Sequence, residues 1–549
     1  MAAHSMKGSM AVAAQDPKPS LSLARKLAIL LVMNTVSLVQ AFDATCMCVI
    51  LPTLARELDA SFSESLSMGS VFLLATAISQ PIFAEIAHVV GQRPAYIISL
   101  SIFITGTALC GSAKTSLMLL VGRSVQGVGS GGPQALSGMI LADMFQIRER
   151  SKWVAYQSVS WALGTVAGPL VGGAIVDKKD SEWRWIFWCT LPFLGSSLVG
   201  AMLLLGKDGG NQRSWHLSDL DWIGIVLYVI ASISALLPLT WADSRFPWKS
   251  IQVIVPLVVS VFGFLALGAY ERIAKKPMFQ PSLFKSRSTV LQFVNATVHG
   301  TLMWMVVYYL AVYFLGVKGK SPLMAAVWAL PATITVAPVA AVVGLVAHKT
   351  GKYQGFMLGG WSLLVTIFAV MTTLDKDTPA SIVLVIVLFF GVAIGLIIPV
   401  MSIGVQATTE HGHVGHAISM VYVLRTMGQC MGIAIGITIF SSSLKKKFKD
   451  MDMATDLLDN TMKLIKSSVE QGGFGNEIMT DGVVNVLRDL WVTGSILAGF
   501  ALILSLFARC PKLPKASGSD GVEQVIPENN GFSDTAIGRV WRWFRPTSS

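Results

Sequence analysis

AEIAHVVGQR, residues 84–93, and GLVAHKTGKY, residues 344–353, are the stretches that decide how this chain is organised. Aligned, they pair His88 with His348 and Gly91 with Gly351 at a constant spacing of 260 residues. A second match lies deeper in each half, where Gly164, Gly168 and Gly172 recur as Gly428, Gly432 and Gly436, 264 residues further on. Two matches at nearly one spacing describe a duplication.

What is duplicated follows from the composition around these stretches. The 549 residues are 53% hydrophobic and only 13% charged, with a mean hydropathy of +0.62. A soluble protein carries about 25% charged residues, so lipid is the solvent for most of this chain. Runs of about 20 apolar residues, long enough to cross about 30 Å of hydrocarbon as helix, start near residues 27, 66, 95, 116, 153 and 185, then 221 and 251, then 289, 322, 354, 380, 415 and 488. That makes fourteen spans, apolar on all faces, and β-barrel strands of about ten alternating residues do not fit them. Both repeat matches shift by eight spans. The expected fold is therefore an all-α polytopic membrane protein of two six-helix bundles with two inserted linker helices. Its parts are a tail (1–26), a first bundle (27–206), the linker pair with its loops (207–288), a second bundle (289–509) containing a long loop (444–487), and a second tail (510–549). Parallel repeats of this kind form secondary transporters, with the substrate site between the halves near the midplane.

A net charge of +11 would suggest nucleic acid in a soluble protein, but here the basic residues lie between apolar runs, where anionic headgroups attract them. The partners expected are the lipid bilayer, protons and a small molecule, with no nucleic acid, and the protein is expected to act as a monomer. About 23 Lys and Arg fall on the side of the two tails and about 17 on the other, so the positive-inside rule places both tails in the cytosol. About seven of the outer charges belong to the segment 444–487, and long loops are translocated largely regardless of charge. Five of the six Cys lie inside apolar runs and the sixth just beyond one, which reads as buried packing and not as a disulfide framework.

Charges inside the spans point to chemistry, since each costs at least about 2.5 to 3.5 kcal/mol near the bilayer centre when unpaired. Asp43 lies about nine residues before Pro52 and Arg123 about eight after Thr115, which puts both roughly 12 Å below one surface and invites pairing. Antiport needs one site that proton and substrate occupy in alternation, and an intramembrane carboxylate beside a guanidinium supplies one. Glu85 sits near the cytosolic end of span 2, and Arg425 lies about ten residues into span 13. His411, His413 and His416 form a cytosolic H-x-H-x2-H cluster whose spacing carries little metal signal, and no metal is expected. GTVAGPLVGG, Gly164 to Gly173, puts glycines four apart on one face, with Pro169 able to bend the helix. One reading is tight packing; the other is that this face is where the two halves rock against each other. Trp304, Tyr308, Trp328 and Trp361, with Arg425, suit a cavity for flat apolar ligands.

At these residues the chain resembles the fourteen-helix drug:proton antiporter branch of the major facilitator superfamily, especially its fungal efflux members, over nearly its whole length. FDATCMCVILP is similar to the branch's D-x-T-x-x-x-x-L-P, LLVGRSVQGVGSGG to its L-x-x-x-R-x-x-Q-G-x-G, and Gly164, Gly168, Pro169, Gly172 and Gly173 to its antiporter motif g-x-x-x-G-P-x-x-G-G. SEWRWIFWCTLP looks like its W-R-W-I-F-x-x-N-x-P, with Thr190 at the usual Asn, and DWIG at 221–224 also looks familial. The resemblance implies proton coupling at Asp43 and Arg123, a cytoplasmic gate at Glu85, His88, Gly91 and Arg93 with His348 and Gly351 in the second half, and no cofactor, the proton gradient being the energy source. One departure stands out: His88 occupies the place of the usual gate acid, a residue type able to change charge with cytosolic pH.

The function so implied is proton-coupled antiport that exports small, fairly apolar organic compounds such as drugs, toxins or secondary metabolites across the plasma membrane. A vacuolar or uptake carrier for amino acids or iron chelates is the alternative within the superfamily. An ATP-driven pump would need G-x-x-x-x-G-K-[ST], and the G-K-S at Gly319 to Ser321 has Phe314 where the first Gly must be. Neither paired catalytic carboxylates nor an H-E-x-x-H helix supports an enzyme.

Overall fold

The computed structural model describes residues 22–145, 147–178, 180–206, 220–242, 246–274, 276–409, 414–450 and 477–508. Six helices form the first bundle: α1 (Leu23–Glu57), α2 (Phe62–Val90), α3 (Gln92–Gly111), α4 (Ser116–Met144), α5 (Ile147–Lys178) and α6 (Leu191–Leu204), the last preceded by short helical turns over 180–188. A hairpin of α7 (Trp222–Trp241) and α8 (Ile251–Tyr270) follows. The second bundle contains α9 (Arg287–Val312), α10 (Pro322–Thr350), α11 (Gln354–Met371), α12 (Ala380–Thr408), α13 (Val414–Asp450) and α14 (Glu477–Phe507). Among the described residues, thirteen helical stretches are long and apolar enough to cross a bilayer. The other long helix is α4, whose apolarity is diluted by Arg123, Gln126 and a run of Gly and Ser, and which is packed against α2 and α3.

Local sequence explains where these helices begin and end. Ser61 and Glu64 form a reciprocal capping box at the start of α2, and Thr115, Asp221, Ser286 and Ser321 cap α4, α7, α9 and α10 through their side-chain oxygens. Such caps satisfy amide donors that have no intrahelical partner. The repeated glycines end their helices: Gly91 closes α2 at φ 96° and Gly351 closes α10 at φ 66°. Only Gly adopts that region without strain, which explains why both copies of the repeat keep it.

The two bundles share a packing plan. In the first, α1 packs on α5 and α6, and α4 on α2 and α3, while α3 also meets α6; in the second, α9 packs on α13 and α14, and α12 on α10 and α11, while α11 also meets α14. Each of these pairs recurs in the other bundle eight helices later. The halves join along two related seams, α5 with α10 and α2 with α13, and α7 of the hairpin lies against α2 and α13.

Two expectations change. Helix takes both ends of the segment 444–487, because α13 runs on to Asp450 and α14 already begins at Glu477; the Lys-rich SLKKKFKD contains neither Gly nor Pro to break a helix. The glycine face of α5 does not lie between the halves. A Cβ at Gly164 would strike the Leu38 carbonyl and Ala41, one at Gly168 would strike Thr45 and the Phe42 carbonyl, and one at Gly172 would lie 3.3 Å from Cys46 Cβ, all on α1 of the same bundle. Only Gly173 faces the other half, against Pro322 and Leu323 at the start of α10. Glycines four apart share a face, and the contact with α1 occupies that face, so the motif serves packing within the first bundle.

Candidate transport site

Four helices of the first bundle converge on a buried polar network. Asp43 on α1 and Arg123 and Gln126 on α4 are all fully buried. Arg123 Nε donates to the Met68 carbonyl on α2 (3.2 Å), Nη1 to Gln126 Oε1 (2.7 Å) and Nη2 to the main-chain carbonyl of Asp43 (3.1 Å). The Asp43 carboxylate receives Gln126 Nε2 at Oδ2 (3.0 Å), and the same amide donates to Thr107 Oγ1 on α3 (2.9 Å). The guanidinium carbon lies 4.4 Å from the Phe72 ring centroid and 5.9 Å from that of Phe187, so two aromatic faces offset part of its desolvation.

The structure thus brings Asp43 and Arg123 together, but through Gln126 and the backbone rather than by a direct pairing of their charged ends. Gln126 is the Q of the quoted L-x-x-x-R-x-x-Q-G-x-G match, but the sequence assigned it no role, although it stands three positions after Arg123, a spacing that places both on one helix face. Asp43 Oδ1 has no hydrogen-bond partner. A carboxylate with one oxygen held and the other free can take up a proton at the free oxygen without breaking the existing bond, and such uptake removes the negative charge that faces the guanidinium.

The residues expected at the cytoplasmic gate are less concentrated. His88, exposed near the end of α2, stacks on His416 of α13 with ring centroids 6.3 Å apart and planes at 15°, so this contact joins the halves. His416 lies within α13 and not in a loop; His411 and His413 lie outside the described residues, as does the His348 side chain. Among the described residues no group of three His, Cys, Asp or Glu is arranged to hold a metal ion. Arg93 stays within the first bundle, where Nη2 donates to the Met202 carbonyl (2.6 Å). Glu85 is half-buried and feels the charges of Asp221 and Lys276 from the linker. Glu271, just beyond α8, belongs to the same acidic neighbourhood and carried no sequence signal. It is buried, and Oε2 accepts the Phe279 N–H (3.3 Å). Burial, helped by the nearby Asp221 and Glu85 charges, pushes its carboxyl up to about 7 against that hydrogen bond.

The aromatic set is divided. Trp304, Tyr308 and Trp361 are fully buried, and Tyr308 is the side chain a Cβ at Gly69 of α2 would strike, which places it at the contact of the halves. Trp328 is half-buried, with Phe314 at 5.6 Å and Lys320 Nζ 4.9 Å from its ring. Arg425 is half-buried on α13, over Tyr422 at 5.5 Å, and makes no bond to the Asp43 network.

Residues 33–433 match the description of the Major Facilitator Superfamily. The chain belongs to that superfamily. As a member it is a multi-pass membrane transporter and not an enzyme. It is 35% identical over 491 residues to MFS transporter L2 of a Phoma species, covering 88% of this chain and 82% of the relative. To the MFS efflux transporter aclA of Aspergillus oryzae it is 32% identical (85% and 86% covered), and to the efflux pump FUS6 of Gibberella fujikuroi 30% identical (94% and 95% covered). Among solved structures, an inward-facing, occupied bacterial homologue of the human lysosomal transporter Spinster superposes with a TM-score of 0.59 at 14% identity, covering 88% of this chain and 97% of that one. That likeness is one of fold.

Proposed function

We propose that this transporter is a proton-coupled antiporter that exports small, fairly apolar organic compounds, secondary metabolites or toxins among them, across the plasma membrane, with both tails in the cytosol. The observation that carries the reading is the network of Asp43, Gln126 and Arg123, buried in lipid-embedded helices and holding one carboxylate oxygen without a partner. Such an arrangement is costly unless its charge state is used, and relatives named as efflux pumps support the direction. Protonation at Asp43 Oδ1 loosens the hold on Arg123, whose three bonds tie α1, α2 and α4 together. Proton and substrate then bias one two-state equilibrium of the halves in opposite senses. The test uses vesicles of known sidedness containing the purified full chain. Imposing a pH gradient should drive an apolar fluorescent cation or acid against its own gradient, and substrate addition without a gradient should move protons the other way. Transport unaffected by collapsing the gradient would remove the coupling.

A further inference from the structure

The second bundle contains a largely enclosed cationic site with no carboxylate to balance it among the described residues of α9 to α12. Arg425 on α13 and His299 on α9 lie where these helices pack together, with Gly300, the neighbour of His299, directly against the Arg425 main chain. His299 is fully buried, and neither of its ring nitrogens has a hydrogen-bond partner. Arg425 Nε is likewise enclosed without a partner, and the guanidinium charge acts on the imidazole. The sequence shows why no carboxylate answers it: α9 to α12 contain no Asp or Glu, and the single acid of α13 is Asp450 at its far tip. A cation kept inside a membrane span without a counter-charge is expensive. Arg425 keeps a partial exposure that leaves it within reach of a solute.

We propose that Arg425 and His299 bind the acidic oxygen of the transported solute, so that the substrates are apolar organic acids: carboxylic acids, or enols and phenols of comparable acidity. The guanidinium fork supplies charge-assisted hydrogen bonds to the anionic oxygens, the imidazole donates one more, and the apolar remainder of the solute lies in the membrane-spanning interior. This inference rests on the export reading above and names the substrate class for it.

The experiment uses the full chain in phosphatidylcholine nanodiscs and follows thermal unfolding and fluorescence with pyrenebutyrate, naphthoate and an aromatic enol, each beside its methyl ester or ether. The acids should bind at least about tenfold more tightly than their esters, the factor of one charge-assisted hydrogen bond. Arg425→Gln should bind acid and ester alike, Arg425→Lys should keep part of the preference, and His299→Phe should reduce it. Without ligand, Arg425→Gln should unfold about 2 °C or more above the parent, because it removes an uncompensated charge. Equal binding of every acid and its ester, or a ligand-free Arg425→Gln that melts lower than the parent, overturns the proposal. So does a stabilisation by phosphatidylglycerol that depends on Arg425 and competes with the acids, which would give the site to a lipid headgroup. Asp43→Asn should keep the acid preference while losing gradient-driven transport. Failure of the coupling and failure of the anion site are therefore separate results.

Discussion

In the first bundle the glycines of α5 bed against α1, and in the second those of α13 bed against α9, with Gly428 and Gly432 against the carbonyls of Thr297 and Thr301 and Gly436 against Tyr309. The packing frames correspond helix for helix. The charges do not. Where the first bundle joins a carboxylate, an amide and a guanidinium in a network with one open oxygen, the second holds an imidazole and a guanidinium with open donors and no acid. Small residues that let backbones approach are constrained by geometry alone, so a duplicated fold keeps them in both copies, whereas a buried charge survives only where it is used. On the proposed reading, this difference in charge between equivalent bundles corresponds to a division of labour, with proton handling in one half and solute binding in the other.

The sharpest way to break that comparison is Asp43→Asn. The carboxamide keeps the shape and can still accept from Gln126, but it cannot ionise, so gradient-driven efflux should fall to the level of the unenergised control at equal protein abundance. Surface expression and solute binding should persist. Full efflux in this variant would move proton coupling out of the first bundle, with Glu85 and His88 the next residues to test.

Gln126→Leu probes the same network through stability. It orphans Asp43 Oδ2 and Arg123 Nη1 in a fully buried site, at about 1–3 kcal/mol for each buried group left unsatisfied, while Thr107 Oγ1 keeps its bond to the Phe103 carbonyl. We expect the largest loss of melting temperature among these substitutions, with slowed transport. A variant as stable as the parent would show that the amide bridges nothing that matters. The matched pair Gly164→Ala and Gly428→Ala tests the shared frame instead. Each added methyl meets a backbone carbonyl that cannot turn aside, so both should cost about 1–3 kcal/mol, and equally in the two halves. Gly172→Ala, whose Cβ would stand 3.3 Å from Cys46 Cβ, should cost less. Unequal costs for the matched pair would mean that the bundles differ in packing as well as in charge.

The frame was legible in the sequence because apolar length and a repeated glycine report backbone requirements directly: Gly91 and Gly351 stand where φ is positive, and the stripes stand where helices touch. Asp43 and Arg123 were legible too, since their cost in lipid makes them conspicuous and their depths agree. The role of Gln126 was not, even though it stands at the Q of the quoted motif, because a neutral amide raises no such alarm and its value depends on who faces it. For the same reason the sequence left two readings of the α5 stripe open: spacing fixes that the three glycines four apart share a side, while the neighbour on that side is decided by the whole bundle. His299 escaped notice because an imidazole among apolar residues looks like packing until both nitrogens are seen to lack partners.

The smallest effect is expected where neither half is in charge, at the linker. Glu271 follows α8, in a hairpin whose partner helix α7 touches both α2 and α13, and burial with the charges of Asp221 and Glu85 raises its carboxyl to about 7. The folded chain then holds a proton that the unfolded chain has released at any pH between the ordinary carboxylate range and about 7. Stability from this group is present at low pH and is lost as the pH rises through 7. Melting of the parent between pH 5 and pH 8 should decline by about 1–3 °C more than that of Glu271→Gln, which carries no ionisable group there. The two halves should be indifferent to the change: Glu271→Gln should leave the acid preference at Arg425 and the coupling at Asp43 as they are. Identical pH profiles would mean that Glu271 is solvated in the folded protein. A loss of coupling in this variant would make the linker a working part of the proton path, and the division between the two bundles would have to be redrawn with the hairpin as a third participant.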